Sequence, residues 1–189
     1  MTELRELPAL MVLDVQKGFD DPYWGERNNP QAEENMKRLL VEWRNRKGNI
    51  IFSQHLSLQP GSPLHYRNEE GTSFKEMIQP VKGEKVFSKN VNSAFIGTEL
   101  ETYLKEQCIK SVLITGLSTQ HCVSTTTRMS GNLGYNTYLV SDATAAFGIT
   151  DHKGIYHSPD TIHQLELAML QKEFATIITT DEIMNQLNH

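Results

Sequence analysis

Three side chains of different chemistry each follow a short apolar run. Asp14 comes directly after Leu10-Met11-Val12-Leu13, and Lys89 after Val86-Phe87-Ser88. Cys122 closes the polar turn Gly116-Leu117-Ser118-Thr119-Gln120-His121, which follows Val112-Leu113-Ile114-Thr115. A carboxylate or an ammonium at the end of a buried run is costly unless it is paired or used. A thiol in the first turn of a helix feels the positive end of the helix dipole, which favours the thiolate and lowers its pKa from about 8.5. An acid that can carry a proton, an ammonium that offsets negative charge and a sulfur nucleophile form a complete set for covalent catalysis. Each also has a structural reading: Asp14 as a turn cap, Lys89 as a solvated lysine, Cys122 as a small buried hydrophobe.

The elements that must position them follow from apolar periodicity. Ala9–Asp14 reads as a buried strand, and Asn29-Pro30 opens a helix with Asn as N-cap and Pro at its first position. Met36, Leu39, Leu40 and Trp43 share one face of that helix, and Gly48 ends it. Further strands are expected at 49–53, 85–88, 111–115, 136–140 and 175–178. Thr98-x-x-Glu101 has the form of a capping box ahead of Leu100, Tyr103 and Leu104. A helix is expected over 122–133 with Gly134 as its cap, and another from Ser158-Pro159 to Gln171. This alternation predicts an α/β, three-layer αβα Rossmann-like fold with a central, mainly parallel six-stranded sheet. In such sheets ligands bind beyond the carboxyl ends of the strands, which singles out Asp14, His55, Lys89, the segment from Gly116 onward, and Asp142. The connections 16–28 and 56–84 are longer than plain loops and leave two of those ends. They read as a lid over the active end, or else as surface excursions or oligomer contacts.

Composition narrows the class. The 189 residues fit one domain, 1–189, large enough to bury a core without staples. Eighteen Lys and Arg against 23 Asp and Glu give a net charge of −5, which argues against nucleic acid as a partner. The early apolar run 9–13 is far too short for a membrane span. Glu3 and Glu6 beside Arg5, with no signal-type apolar stretch, predict a cytoplasmic protein. Cys108 and Cys122 form no C-x-x-C and have no companion cluster, so neither a disulfide framework nor a cysteine zinc site is expected. No G-x-G-x-x-G, phosphate-binding loop or G-x-S-x-G elbow is present, so the sheet needs no nucleotide cofactor.

Several segments, in order and spacing, carry a family resemblance. They are Val12-Leu13-Asp14-Val15-Gln16 with Phe19, then Lys89 leading into Ser93-Ala94-Phe95 and Gly97-Thr98-Glu99-Leu100. Gly116-Leu117-Ser118-Thr119 with Cys122-Val123 and Thr126 follows, then Ser141-Asp142-Ala143-Thr144 and Ile162-His163. Over nearly its whole length the chain resembles the isochorismatase-like cysteine hydrolases, which include nicotinamidases and N-carbamoylsarcosine amidase. The resemblance implies a catalytic triad of Asp14, Lys89 and Cys122. It also implies a cis Leu117–Ser118 peptide and an oxyanion hole from the amides of Ser118 and Cys122. Nicotinamidases carry an Asp-x-His metal motif after the second strand. The matching Ser53-Gln54-His55 lacks the acid, so no metal is expected, and His55 is left as a pocket residue, an orphan ligand or a turn histidine. Phe19, Trp24 and Asn29 are expected near the pocket mouth, with loop packing the other reading of Trp24. The resemblance implies a metal-independent, cofactor-free cysteine hydrolase cleaving a carboxamide or carbamoyl C–N bond of a small molecule through a thioester. The alternatives are a vinyl-ether or ester hydrolase, or a non-catalytic paralogue that binds a metabolite. A homodimer or homotetramer is the assembly that relatives suggest.

Overall fold

The computed structural model describes residues 6–188, so Glu3 and Arg5 lie outside the described part. The strands are β1 (Ala9–Leu13), β2 (Ile50–His55), β3 (Lys85–Lys89), β4 (Ser111–Leu117), β5 (Asn136–Ala145), β6 (Ile149–Thr150), β7 (Tyr156–His157) and β8 (Thr176–Ile178). The helices are α1 (Ala32–Asn45), α2 (Glu69–Thr72), α3 (Leu100–Glu106), α4 (Ser124–Asn132), α5 (Pro159–Leu170) and α6 (Thr180–Leu187). Six strands pair in the order β3-β2-β1-β4-β5-β8, every pair parallel, while β6 and β7 make a small separate hairpin.

β1 shows why the sheet needs helices on both sides. Its side chains alternate, so Leu10 and Val12 enter one core and Ala9, Met11 and Leu13 the other. The first core is roofed by Met36, Leu39, Leu40 and Trp43 of α1 and by Ile183 of α6. The Trp43 indole N–H donates to the Pro8 carbonyl at 2.7 Å, so this large side chain is buried with its polar atom satisfied. The second core takes Leu100 and Leu104 of α3, Leu170 of α5 and Val123 ahead of α4.

Several local expectations are corrected. The first helix opens at Ala32, not at Asn29-Pro30. Asn29 sits at φ 43 and spends its side-chain amide on the carbonyls of Ser141 (3.0 Å) and Thr144 (2.8 Å). That helix stops at Asn45, ahead of Gly48, and the chain turns through Lys47 at φ 55. The capping box at Thr98 does not form: its hydroxyl donates to Ala94 O at 2.6 Å and accepts from Leu100 N. Glu101 pairs with Lys105 instead. A true capping box stands at α6, between Thr179 and Glu182.

The two long connections fold against each other. The first contains 3-10 turns at Lys17–Asp20 and Pro22–Trp24, and the second contains α2 and a 3-10 turn at Glu76–Ile78. Lys17 N donates to Ser73 O (2.9 Å) and Lys75 N to Val15 O (3.0 Å). Glu33 of α1 ties both down, accepting from Arg27 of the first and from Lys75 of the second. Among the described residues no helix is long and apolar enough to cross a membrane.

Candidate active site

Parallel register brings the carboxyl ends of four strands together. Leu13 lies beside Ser53 and Gly116, and His55 beside Lys89. Asp14 leaves β1 at φ 52, with its N–H donating to Ser53 O at 3.0 Å. Gly116 stands at φ 126, and a Cβ there would lie 2.1 Å from the Leu13 carbonyl oxygen. Only glycine lets β4 approach β1 so closely in that conformation. The Leu117–Ser118 peptide is cis. The chain then makes a π turn over Thr119–Val123 before α4, so Cys122 precedes the α-helix rather than opening it as expected. The Ser118 carbonyl accepts from His121 N (3.1 Å) and Val123 N (3.3 Å), and the Cys122 amide between them is not one of its donors.

A buried histidine fixes this turn from behind. Nε2 of His163, on α5, donates to Ser141 O at 3.0 Å, which leaves Nδ1 to accept from the Thr119 hydroxyl at 3.0 Å. Burial lowers the pKa of His163, consistent with that neutral form. Asn29 shares the Ser141 acceptor. It belongs to the bracket that joins the cysteine turn to β5.

At the centre, Lys89 Nζ lies 2.5 Å from Asp14 Oδ2, 3.3 Å from Cys122 Sγ, 3.2 Å from His55 Nδ1 and 3.2 Å from Val91 O. Asp14 Oδ1 accepts from the Ser53 hydroxyl at 2.6 Å. The side chains of Asp14 and Lys89 are both fully buried, and Cys122 is 5% exposed. Sγ is also 4.0 Å from His55 Nδ1 and 3.8 Å from Asn92 Oδ1.

Burial works against the Lys89 charge, but Asp14 and the sulfur outweigh it and raise its pKa, so it remains an ammonium. Burial, then the Lys89 charge, lowers the pKa of His55 and keeps its ring neutral. Burial, then the negative charge of Asp14, pushes the Cys122 thiol well above its ordinary value. This corrects the expectation of a resting thiolate. Desolvation beside a mutually neutralising Asp–Lys pair outweighs a dipole effect, so the resting sulfur carries its proton.

Gln16 is a supporting residue whose role was not read from the sequence. Its buried side chain accepts from His55 N (2.8 Å) and donates to His55 O (3.0 Å) and Thr72 O (2.9 Å). It thereby extends the hydrogen-bonding pattern at the end of β2 and holds His55 in place. The available signal was a polar residue three positions beyond an apolar strand.

The remaining sequence candidates lie apart from the Lys89 contacts. Phe19 and Trp24 pack on each other with ring centroids 5.0 Å apart, and both pack on Phe147. The Trp24 indole donates to Gly18 O, as loop packing requires. Phe147 O in turn accepts from Gln120 of the cysteine turn, at 3.2 Å. Asp142 is not at a strand end, because β5 runs on to Ala145; it accepts from Thr180 N and Oγ1 at the start of α6.

Asp14, His55 and Cys122 have donor atoms within 4.8 Å of one another, a spacing compatible with a metal ion. The Lys89 ammonium stands within 3.3 Å of all three, where such an ion would sit. Ser53, at the place of the acid in the Asp-x-His motif, gives its hydroxyl to Asp14. These residues do not fit a metal.

The sequence model of the isochorismatase domain matches residues 8–182. The chain belongs to the isochorismatase family. This isochorismatase-family hydrolase is 54% identical over 182 residues to the uncharacterized isochorismatase family protein YrdC of Bacillus subtilis (strain 168), covering 96% of this chain and 97% of that one. It is 28% identical to maleamate amidohydrolase of Pseudomonas putida, with 96% of this chain and 87% of that protein covered. Nicotinamidase 3 of Arabidopsis thaliana is also 28% identical, with 95% and 77% covered. A solved isochorismatase-family structure from Chromobacterium violaceum superimposes with a TM-score of 0.94 at 37% identity, over 99% of this chain and 97% of that one.

Proposed function

We propose that this isochorismatase-family hydrolase is a metal-independent cysteine hydrolase that cleaves a carboxamide or carbamoyl C–N bond of a small molecule through a thioester. The observation that carries the reading is the buried thiol sharing one ammonium with a buried carboxylate. Asp14 takes the thiol proton as Sγ bonds to the substrate carbonyl carbon. The amides of Ser118 and Cys122 donate to the oxyanion, and Lys89 balances the negative charge passing between Asp14 and sulfur. Collapse breaks the C–N bond, and the nitrogen leaves with the proton from Asp14 as ammonia or an amine. Water then gives a proton to Asp14 while its oxygen attacks the thioester. The C–S bond breaks, the acid is released and the proton returns to sulfur. Vinyl-ether cleavage has no need of a sulfur nucleophile, and the amidohydrolases among the relatives support the same choice. The test is a panel of small carboxamides, carbamoyl compounds, esters and vinyl ethers. Ammonia release from at least one amide is expected, and cleavage confined to the vinyl ethers would reject the reading.

A further inference from the structure

Two polar side chains in contact with the sulfur, His55 and Asn92, take no part in that reaction. Asp14, Lys89 and Cys122 are buried, whereas Asn92 is exposed and its Oδ1 lies 3.8 Å from Sγ. Asn92 therefore lines the solvent side of the nucleophile. Its position is set by the backbone: Thr126 Oγ1, on the helix that follows Cys122, donates to Asn92 O at 3.4 Å and accepts from Ala94 N at 3.1 Å. The neighbouring Val91 carbonyl accepts from Lys89 Nζ. The segment thus wraps the ammonium and presents a single carboxamide to the sulfur.

We infer that Asn92 is a specificity-determining residue that reads a neutral N–H-bearing carbonyl group, a carboxamide or ureido group, beside the reacting carbon. This rests on the C–N hydrolase reading and narrows its substrate class. Asn offers an acceptor and two donors, so Oδ1 takes a substrate N–H while Nδ2 donates to a substrate oxygen. In doing so Oδ1 exchanges a long S–H contact for a stronger N–H one. The formal charges at the sulfur, Asp14 and Lys89, cancel each other and leave no net charge to attract a carboxylate there. An ester has no N–H and would leave Oδ1 without a donor, the situation in which a hydrogen-bonding site rejects an analogue.

Paired alkylation of wild type, Asn92→Leu and Asn92→Asp reads this without depending on turnover. Iodoacetamide and methyl iodoacetate share a skeleton and differ in the N–H group. Their rates at Cys122, followed by peptide mass spectrometry, are divided by those at the exposed Cys108 in the same molecule. Wild type should favour the amide at Cys122 by about fivefold, the order expected of one hydrogen bond. Asn92→Leu should bring the ratio to about one. Asn92→Asp keeps the shape but replaces the amide donor with a negative charge, so it should slow both reagents at Cys122 and weaken the preference. On a hydrolysed amide, Asn92→Leu should raise KM by about tenfold with kcat changed far less. An amide-to-ester ratio equal in wild type and Asn92→Leu would overturn the inference even if amides are hydrolysed. A panel without amide hydrolysis would reject the C–N reading alone, since the alkylation ratio still reports on Asn92.

Discussion

Glu33 holds the two long connections against α1, and its removal should cost stability in a way that disappears in acid. Its carboxylate is 13% exposed and takes hydrogen bonds from Arg27 and from Lys75 (2.8 Å). Burial alone would raise its pKa, but those two cations outweigh burial and bring it from 4.5 down to about 2. A depressed pKa means that the native state favours the ionised form. The stabilisation is therefore complete above the unfolded value and fades as pH falls towards the folded one. At about 1.4 kcal/mol per unit, the shift corresponds to roughly 3 kcal/mol near neutral pH, of which about 2 kcal/mol is gone by about pH 3. Glu33→Gln should thus lower the unfolding free energy by about 2–3 kcal/mol near neutrality, a fall in Tm of roughly 5–10 °C for a chain of this size. Near pH 3 the two proteins should differ by about 1 kcal/mol. Urea unfolding of both proteins across that range measures the difference directly. An equal deficit at both ends of the range, or none at neutrality, would refute the reasoning.

Asp14→Asn should reduce amide turnover by roughly a thousandfold or more, the scale of losing a general base. It should also lower thermal stability, because it leaves the buried Lys89 ammonium without its carboxylate. Removing the carboxylate also removes one of the causes that raise the thiol pKa, so alkylation of Cys122 near neutral pH should speed up while hydrolysis collapses. Lys89→Met keeps the aliphatic stem and should likewise abolish turnover, whereas turnover per folded molecule near wild type in either variant would mark these residues as structural. In the wild type, iodoacetamide near neutral pH should label the exposed Cys108 before the buried, protonated Cys122, as peptide mapping over time would show. Chelators should leave amide turnover unchanged, because Lys89 occupies the position a metal would take; loss of activity restored by one added metal would contradict this.

The strands and the apolar face of α1 were legible because their signals are local. Alternation along 9–13 and the spacing of Met36, Leu39, Leu40 and Trp43 require no knowledge of distant residues. Asn29 and Asp142 were misplaced because their partners lie far along the chain. Asn29 looked like an N-cap, but its carbonyl acceptors lie on β5, 112 and 115 positions away. Asp142 looked like a strand end because its apolar run stops at Val140, yet β5 continues past a register shift beside Gly116. At the site, the polar residues at strand ends were visible in sequence, and the parallel sheet brings Asp14, His55 and Lys89 to one point. The ionisation of Cys122 was misread because a helix dipole can be inferred from spacing, whereas desolvation and the Asp14 charge emerge only once the chain is folded. Gln16 and Asn92 stood in plain sequence, but their partners are set by how β2 and α4 pack.

The central claim, a covalent acyl group on Cys122, is tested most directly by trapping it. Wild-type protein mixed with a hydrolysed amide and quenched in acid within a turnover should gain the mass of the acyl group. The gain should map to the peptide containing Cys122 and be absent in Cys122→Ser, whose amide hydrolysis should fall by orders of magnitude. Full turnover by Cys122→Ser, or an acyl group found on another residue, would contradict the account.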